Sequence, residues 1–165
     1  MPILEQNYSR PRNHFSACHF LIGYSRCDRL HGHDYSVKLR MKYHSEINDQ
    51  FFDFRVVNSW VNQIIKELNH KILLPERSPG IKIRPIRNGE NWLILLQGKE
   101  YSFPQKDVKI LKGIEQTTCE HLAEYIHKLI STKMKETGKY EVVSELTIIL
   151  SETVGNEVSY SSKII

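Results

Sequence analysis

His31 and His33 are separated by one glycine, and residues two apart in an extended segment project their side chains from the same face. Two imidazoles side by side suit a shared metal ion. His19 lies in an upstream apolar segment, and antiparallel pairing through the intervening loop would return it beside the other two, giving three nitrogen donors. Zinc accepts neutral imidazoles. With three protein ligands it keeps a fourth position for water or a substrate oxygen, where it acts as a Lewis acid. Cys27 stands four residues before His31. It is either a fourth ligand that closes a structural site, or a thiolate, stabilised by the nearby cation, that serves as a base; the spacing leaves both open.

Other polar residues carry weaker signals. His70 follows Leu68-Asn69 at the end of a helical segment, where an imidazole commonly caps the last carbonyls. Glu152 enters an otherwise apolar strand just before a turn; it is either exposed at the strand end or an anchor accepting two parallel hydrogen bonds from a planar amidine-like group. His44, His121 and His127 read as surface or helix-face residues, His14 is undecided, and Cys18 points away from His19 because strand neighbours face opposite sides.

These residues need a scaffold, and the pattern of the chain supplies one. His14 to Ile22 (HFSACHFLI) and Tyr35 to Tyr43 read as strands, the second by strict alternation. The GYSRCDRLHGH between them holds turn formers and should join an antiparallel pair, leaving its Cys and His residues at one sheet end. Asp53 to Leu68 places Val56, Val57, Trp60, Val61, Ile64, Ile65 and Leu68 at helical spacing. Asn88-Gly89 between β-rich runs predicts a hairpin, and Pro85 suits an edge strand. A second helix starts near Thr117 or Thr118 as cap, with Leu122, Ala123, Ile126, Leu129 and Ile130 as its buried stripe. The final segment reads as two strands around Gly155-Asn156. The expectation is an α+β domain spanning 1–165, an antiparallel sheet with two helices on one face and an inserted hairpin at about 75–112. Exposed sheet edges predict pairing with other subunits.

Bulk composition narrows the classes. Hydrophobic residues make up 40% and charged residues 25% of 165, ordinary for a globular chain. A formal net charge of +4, scattered without a tail or stripe, gives no support for nucleic-acid binding. No apolar run reaches the ~18 residues that span a bilayer. Three cysteines without framework spacing, and no leader-like segment, predict a reducing, cytoplasmic location.

Taken in order, FSACH, CDRLHGH, LNHK, TTCEHLA and SET with the later Tyr160 resemble the 6-pyruvoyl-tetrahydropterin synthase and 6-carboxy-tetrahydropterin synthase family over most of the chain. The C-x-x-x-H-G-H element behind F-S-A-x-H is specific, and residues 75–112 exceed the shortest family members. The resemblance implies the tunnelling fold and a homo-oligomer, commonly a hexamer built as a dimer of trimers, with active sites between subunits. It implies zinc on His19, His31 and His33, Cys27 as the proton-abstracting thiolate, Glu152 as the pterin anchor, Thr117 and Thr118 in the pterin pocket, and His70 as a proton relay. It implies a zinc-dependent lyase acting on 7,8-dihydroneopterin triphosphate. The leading product is 6-carboxy-5,6,7,8-tetrahydropterin of the 7-deazaguanine (queuosine and archaeosine) pathway; the alternatives are 6-pyruvoyl-tetrahydropterin, 6-hydroxymethyl-dihydropterin, or a zinc-stabilised pterin-binding protein without activity. One position departs from the family: Asn69 stands where an Asp usually precedes the relay histidine, and an amide orients an imidazole without stabilising its cation.

Overall fold

The computed structural model describes residues 5–8, 13–44 and 51–164, so the outer limits of a 1–165 unit lie outside the described residues. In chain order the elements are β1 (Glu5–Tyr8), β2 (His14–His19), β3 (His31–Tyr43), α1 (Phe54–Leu68), β4 (Lys71–Pro75), β5 (Ile81–Ile86), β6 (Asn91–Leu96), β7 (Lys99–Pro104), β8 (Val108–Leu111), α2 (Cys119–Glu136), β9 (Val143–Thr153) and β10 (Asn156–Lys163).

Alternation in β3 organises the main sheet. Tyr35, Val37, Leu39, Met41 and Tyr43 are buried on one face, while Ser36, Lys38, Arg40 and Lys42 stay half-exposed on the other. From β9, Leu146, Ile148 and Leu150 join the buried face. Both helices cover that face. Asp53 caps α1 by accepting the Arg55 N–H at 2.7 Å, and Val57, Val61, Ile64, Ile65 and Leu68 form its buried stripe. Thr118 caps α2, which buries Leu122, Ala123, Ile126, Ile130 and Met134. Each such Val, Leu, Ile or Met side chain contributes about 1.5–3 kcal/mol when fully buried. The opposite face is polar and tied by Lys38–Glu157, Arg40–Glu5 and Lys42–Glu145 ion pairs.

Strand order is β10-β9-β3-β2-β4-β8, with β1 also pairing β3. The expected antiparallel sheet is mixed at one edge, because β4 runs parallel to β2 and β8 parallel to β4. Parallel neighbours need a long crossover, and the inserted segment between β4 and β8 supplies it. That insertion is more than the expected hairpin. β5 and β6 meet through Asn88 (φ 56°) and Gly89 (φ 89°), as Asn-Gly predicts, and β7 completes a separate three-stranded sheet with Pro85 on its edge strand.

The small sheet has its own core of Phe20, Ile22, Leu74, Ile81, Ile94 and Leu96. Phe20 and Ile22 follow His19 directly, so this packing fixes the path of the chain leaving β2. Gly80 permits it, since a Cβ there would lie 2.7 Å from Ile22 Cγ2.

Candidate metal centre

The β2–β3 ladder pairs His19 with His31 and Ala17 with His33, which puts all three imidazoles on the helix-covered face at one sheet end. The loop expectation for His31 and His33 is corrected: β3 begins at His31, so both belong to a strand whose pleat puts them on the same face. Their candidate ligand atoms all lie within 4.8 Å of one another. Gly32 allows the close approach, since a Cβ would sit 3.0 Å from the Ala17 carbonyl oxygen and 3.1 Å from Cys18 Sγ. Cys18 indeed faces away from the histidines.

Two of the rings are oriented by a backbone carbonyl. His19 Nδ1 lies 2.8 Å from the Thr117 carbonyl, and His31 Nδ1 lies 2.7 Å from the Arg29 carbonyl. A carbonyl only accepts, so both Nδ1 atoms donate and both Nε2 atoms are left with a bare lone pair. His19 is fully buried, and burial holds its pKa down at about 4 although the Thr117 contact opposes this. It is therefore neutral near pH 7, the state a metal ligand requires. Nε2 of His19 has no hydrogen-bond partner among the described residues, and Nε2 of His33 meets a carboxylate oxygen of Glu152. A buried His19 nitrogen without a hydrogen bond, its tautomer set by a backbone carbonyl, beside two further imidazoles fits a zinc ion.

Cys27 lies outside that cluster. It is exposed in the short 3-10 turn Ser25–Asp28, its N–H donating to Tyr24 O at 2.9 Å and its carbonyl accepting from Leu21 N at 2.8 Å. Cys119 is buried, and burial, with the nearby Glu152 charge, pushes its thiol up to about 12, which disfavours the thiolate.

Glu152 projects to the same face as the imidazoles. Its Oε1 is 2.9 Å from His33 Nε2 and 3.7 Å from His19 Nε2. It also lines a cleft of about 480 Å³ with Leu21, Thr118, Cys119 and Asn156, a volume typical of small-molecule sites. Thr118 borders that cleft, whereas Thr117 is fully buried with its hydroxyl donating to Phe20 O at 2.8 Å. His70 opens elsewhere, into a cleft on the helix-free side with Ser16, Cys18, Asp34 and Asp107, which His33 also borders. Its backbone has φ 57° and donates to Ser16 O at 2.7 Å. Asn69 Oδ1 accepts the Ser16 N–H at 2.9 Å, and Ser16 Oγ donates to Asp34.

The family model described as 6-pyruvoyl tetrahydropterin synthase matches residues 9–163. The chain belongs to the 6-pyruvoyl tetrahydropterin synthase family. A relative from Methanocaldococcus jannaschii, provisionally named 6-carboxy-5,6,7,8-tetrahydropterin synthase, is 31% identical over 160 residues, 96% of this chain and 95% of the relative. The crystal structure of 6-pyruvoyl tetrahydropterin synthase from Plasmodium vivax superposes with a TM-score of 0.85 at 25% identity, covering 99% of this chain and 100% of that one. The Plasmodium falciparum synthase gives 0.86 at 24%, covering 98% and 99%. The fold is thus the tunnelling fold of 6-pyruvoyl tetrahydropterin synthase structures.

Within that family frame, the sequence motifs located the three imidazoles. They missed the Thr117 carbonyl as the group orienting His19, because a backbone acceptor leaves no residue-type signal. His127, read as a surface or helix-face residue, lies on a face of α2 that is buried against β10, 3.1 Å from Ser162 Oγ and edge-on to Tyr160. No helix among the described residues is long and apolar enough to cross a membrane.

Proposed function

We propose that this chain is a zinc-dependent lyase acting on 7,8-dihydroneopterin triphosphate, and that its product is 6-carboxy-5,6,7,8-tetrahydropterin. The observation that carries the reading is the convergence of His19, His31 and His33, two of them with Nε2 left bare by backbone acceptors. The provisional name of the Methanocaldococcus relative and the C-x-x-x-H-G-H spacing support the product.

The three histidines would hold zinc, which supplies Lewis acidity to the substrate side chain and acidifies its adjacent C–H bonds. Glu152 would hold the pterin, its carboxylate accepting from the planar amino and ring N–H donors while Thr118 borders the same cleft. Cys27 would act as the base on the side-chain carbon, on a turn strapped by the Leu21 and Tyr24 backbone bonds. Thr117 would position His19 rather than touch substrate, since it has no exposed surface.

His70 lines a cleft that His33 borders but Glu152, His19 and His31 do not. For it to relay a proton, a neighbouring copy would bring its own His70 to this site, consistent with a homo-oligomer, the hexamer of two trimers, with sites between subunits. A single 165-residue domain with a reducing, cytoplasmic setting completes the proposal.

Incubating the purified zinc protein with 7,8-dihydroneopterin triphosphate and identifying products by mass tests it. A 6-carboxy product is expected. A 6-pyruvoyl or 6-hydroxymethyl product would redirect the lyase reading, and no turnover by zinc-loaded protein would leave a pterin-binding protein.

A further inference from the structure

Tyr24 borders the same cleft as Glu152 and Thr118, and it is 56% exposed. Among the described residues no hydrogen bond or ring contact engages its side chain. The ring is nevertheless not on a loose segment. Tyr24 N–H donates to Leu21 O at 3.2 Å, Tyr24 O accepts the Cys27 N–H at 2.9 Å, and Leu21 N–H donates to Cys27 O at 2.8 Å. An aromatic face is thus held ready on a fixed turn with nothing covering it. The cleft beside it is apolar at Leu21 and Val158 and acidic elsewhere. Glu120, Glu152 and Glu157 all border it, and only Glu157 meets a lysine or arginine, Lys38, among the described residues. Such a lining repels a triphosphate and suits the N–H edge of a flat heterocycle.

We propose that the Tyr24 ring stacks on the face of the bound pterin while Glu152 holds its N–H edge, so that Tyr24 is a specificity-determining residue of this cleft. The inference rests on the pterin-binding role of Glu152 given above and adds the group that reads the ring face. Edge and face are separate tests of a ligand. A carboxylate accepts from any suitably spaced pair of donors, whereas a stacked ring rewards only a flat aromatic partner and takes water off both surfaces. The same contact also reaches the thiol. Because the Cys27 N–H is held by the Tyr24 carbonyl, ring and thiol belong to one turn, and a pterin seated against the ring has its side chain placed relative to Cys27.

Neopterin, followed by its own fluorescence, is titrated into the zinc-loaded wild-type protein and into Tyr24 and Glu152 variants. Tyr24→Ala should bind it about 5- to 150-fold more weakly, the scale of removing one ring from a stacked base. Tyr24→Leu keeps apolar bulk without a π-face and should lose about 2- to 10-fold, whereas Tyr24→Phe keeps the face and should bind as the wild type does. The ring is more than half exposed and stands outside the imidazole cluster, so circular dichroism and zinc content should be those of the wild type in all three. In the wild-type complex the carbon-bound proton of the pterin ring should move upfield in the NMR spectrum, through the ring current of Tyr24, and Tyr24→Ala should abolish that shift. Wild-type affinity in Tyr24→Ala beside weakened binding in Glu152→Gln would overturn the proposal and leave the pterin cleft standing, and so would Tyr24→Phe binding as weakly as Tyr24→Ala. Refusal of neopterin by the wild-type protein would instead defeat the functional reading, and this proposal with it.

Discussion

His19 and His31 are direct cross-strand partners at the end of the β2–β3 ladder, with ring centroids 4.5 Å apart. Their meeting depends on register alone, because a slip of one residue would send His31 and His33 to the opposite face together.

Gly32, between the two β3 histidines, guards that register. In Gly32→Ala the added methyl meets the Ala17 carbonyl at 3.0 Å, and a backbone atom in a paired strand has little room to retreat. Denaturant unfolding in the presence of a chelator should show a loss of about 1–3 kcal/mol, the usual scale of overpacking. Zinc affinity should fall as well. Wild-type stability and affinity in the variant would show that the strands separate there without effect.

Cys27 stands apart from the imidazole cluster, so its removal should spare the metal. Cys27→Ala is expected to be folded and to carry the wild-type zinc content by elemental analysis. Turnover should drop by about 10²–10⁴, the contribution of a general base. Loss of zinc would mark Cys27 as a ligand; full activity would remove it from the mechanism.

Asn69 is tied to β2 through its Oδ1, which an aspartate oxygen can replace at the Ser16 N–H. Asn69→Asp should therefore melt like the wild type and turn over faster, on the order of tenfold, because a carboxylate stabilises an imidazolium and an amide does not. Asn69→Ala removes the acceptor and should cost about 1–3 kcal/mol. Slower turnover in the Asp variant, with an intact fold, would contradict a relay role for His70.

Burial lowers the pKa of His127 below its usual value, although the Leu146 backbone and Glu124 oppose this. The unfolded chain then binds a proton more readily than the folded one as pH falls below about 6.5, so stability rises with pH across that window and is lost on acidification. His127→Gln removes the term. Its stability, measured by thermal melts between pH 7 and 5, should fall less steeply than that of the wild type, since the shared contribution of His19 cancels in the comparison. Parallel curves would assign the acid sensitivity elsewhere.

Local pattern by itself determined a good deal of this protein. The H-x-H spacing behind an apolar strand marked the three imidazoles that converge, the apolar spacing from Asp53 to Leu68 and a cap at Thr117 or Thr118 announced two helices, and Asn88-Gly89 announced a hairpin that exists. Each is written in residues a few positions apart, where helical or strand periodicity acts directly. Only the tertiary structure decided what comes from afar. The Thr117 carbonyl reaches His19 across 98 residues, Glu152 arrives beside His33 from β9, and the β4–β8 edge turns parallel because the insertion crosses over. Backbone acceptors and long-range registers have no residue-type signature, since they depend on which strands become neighbours rather than on what any one segment contains.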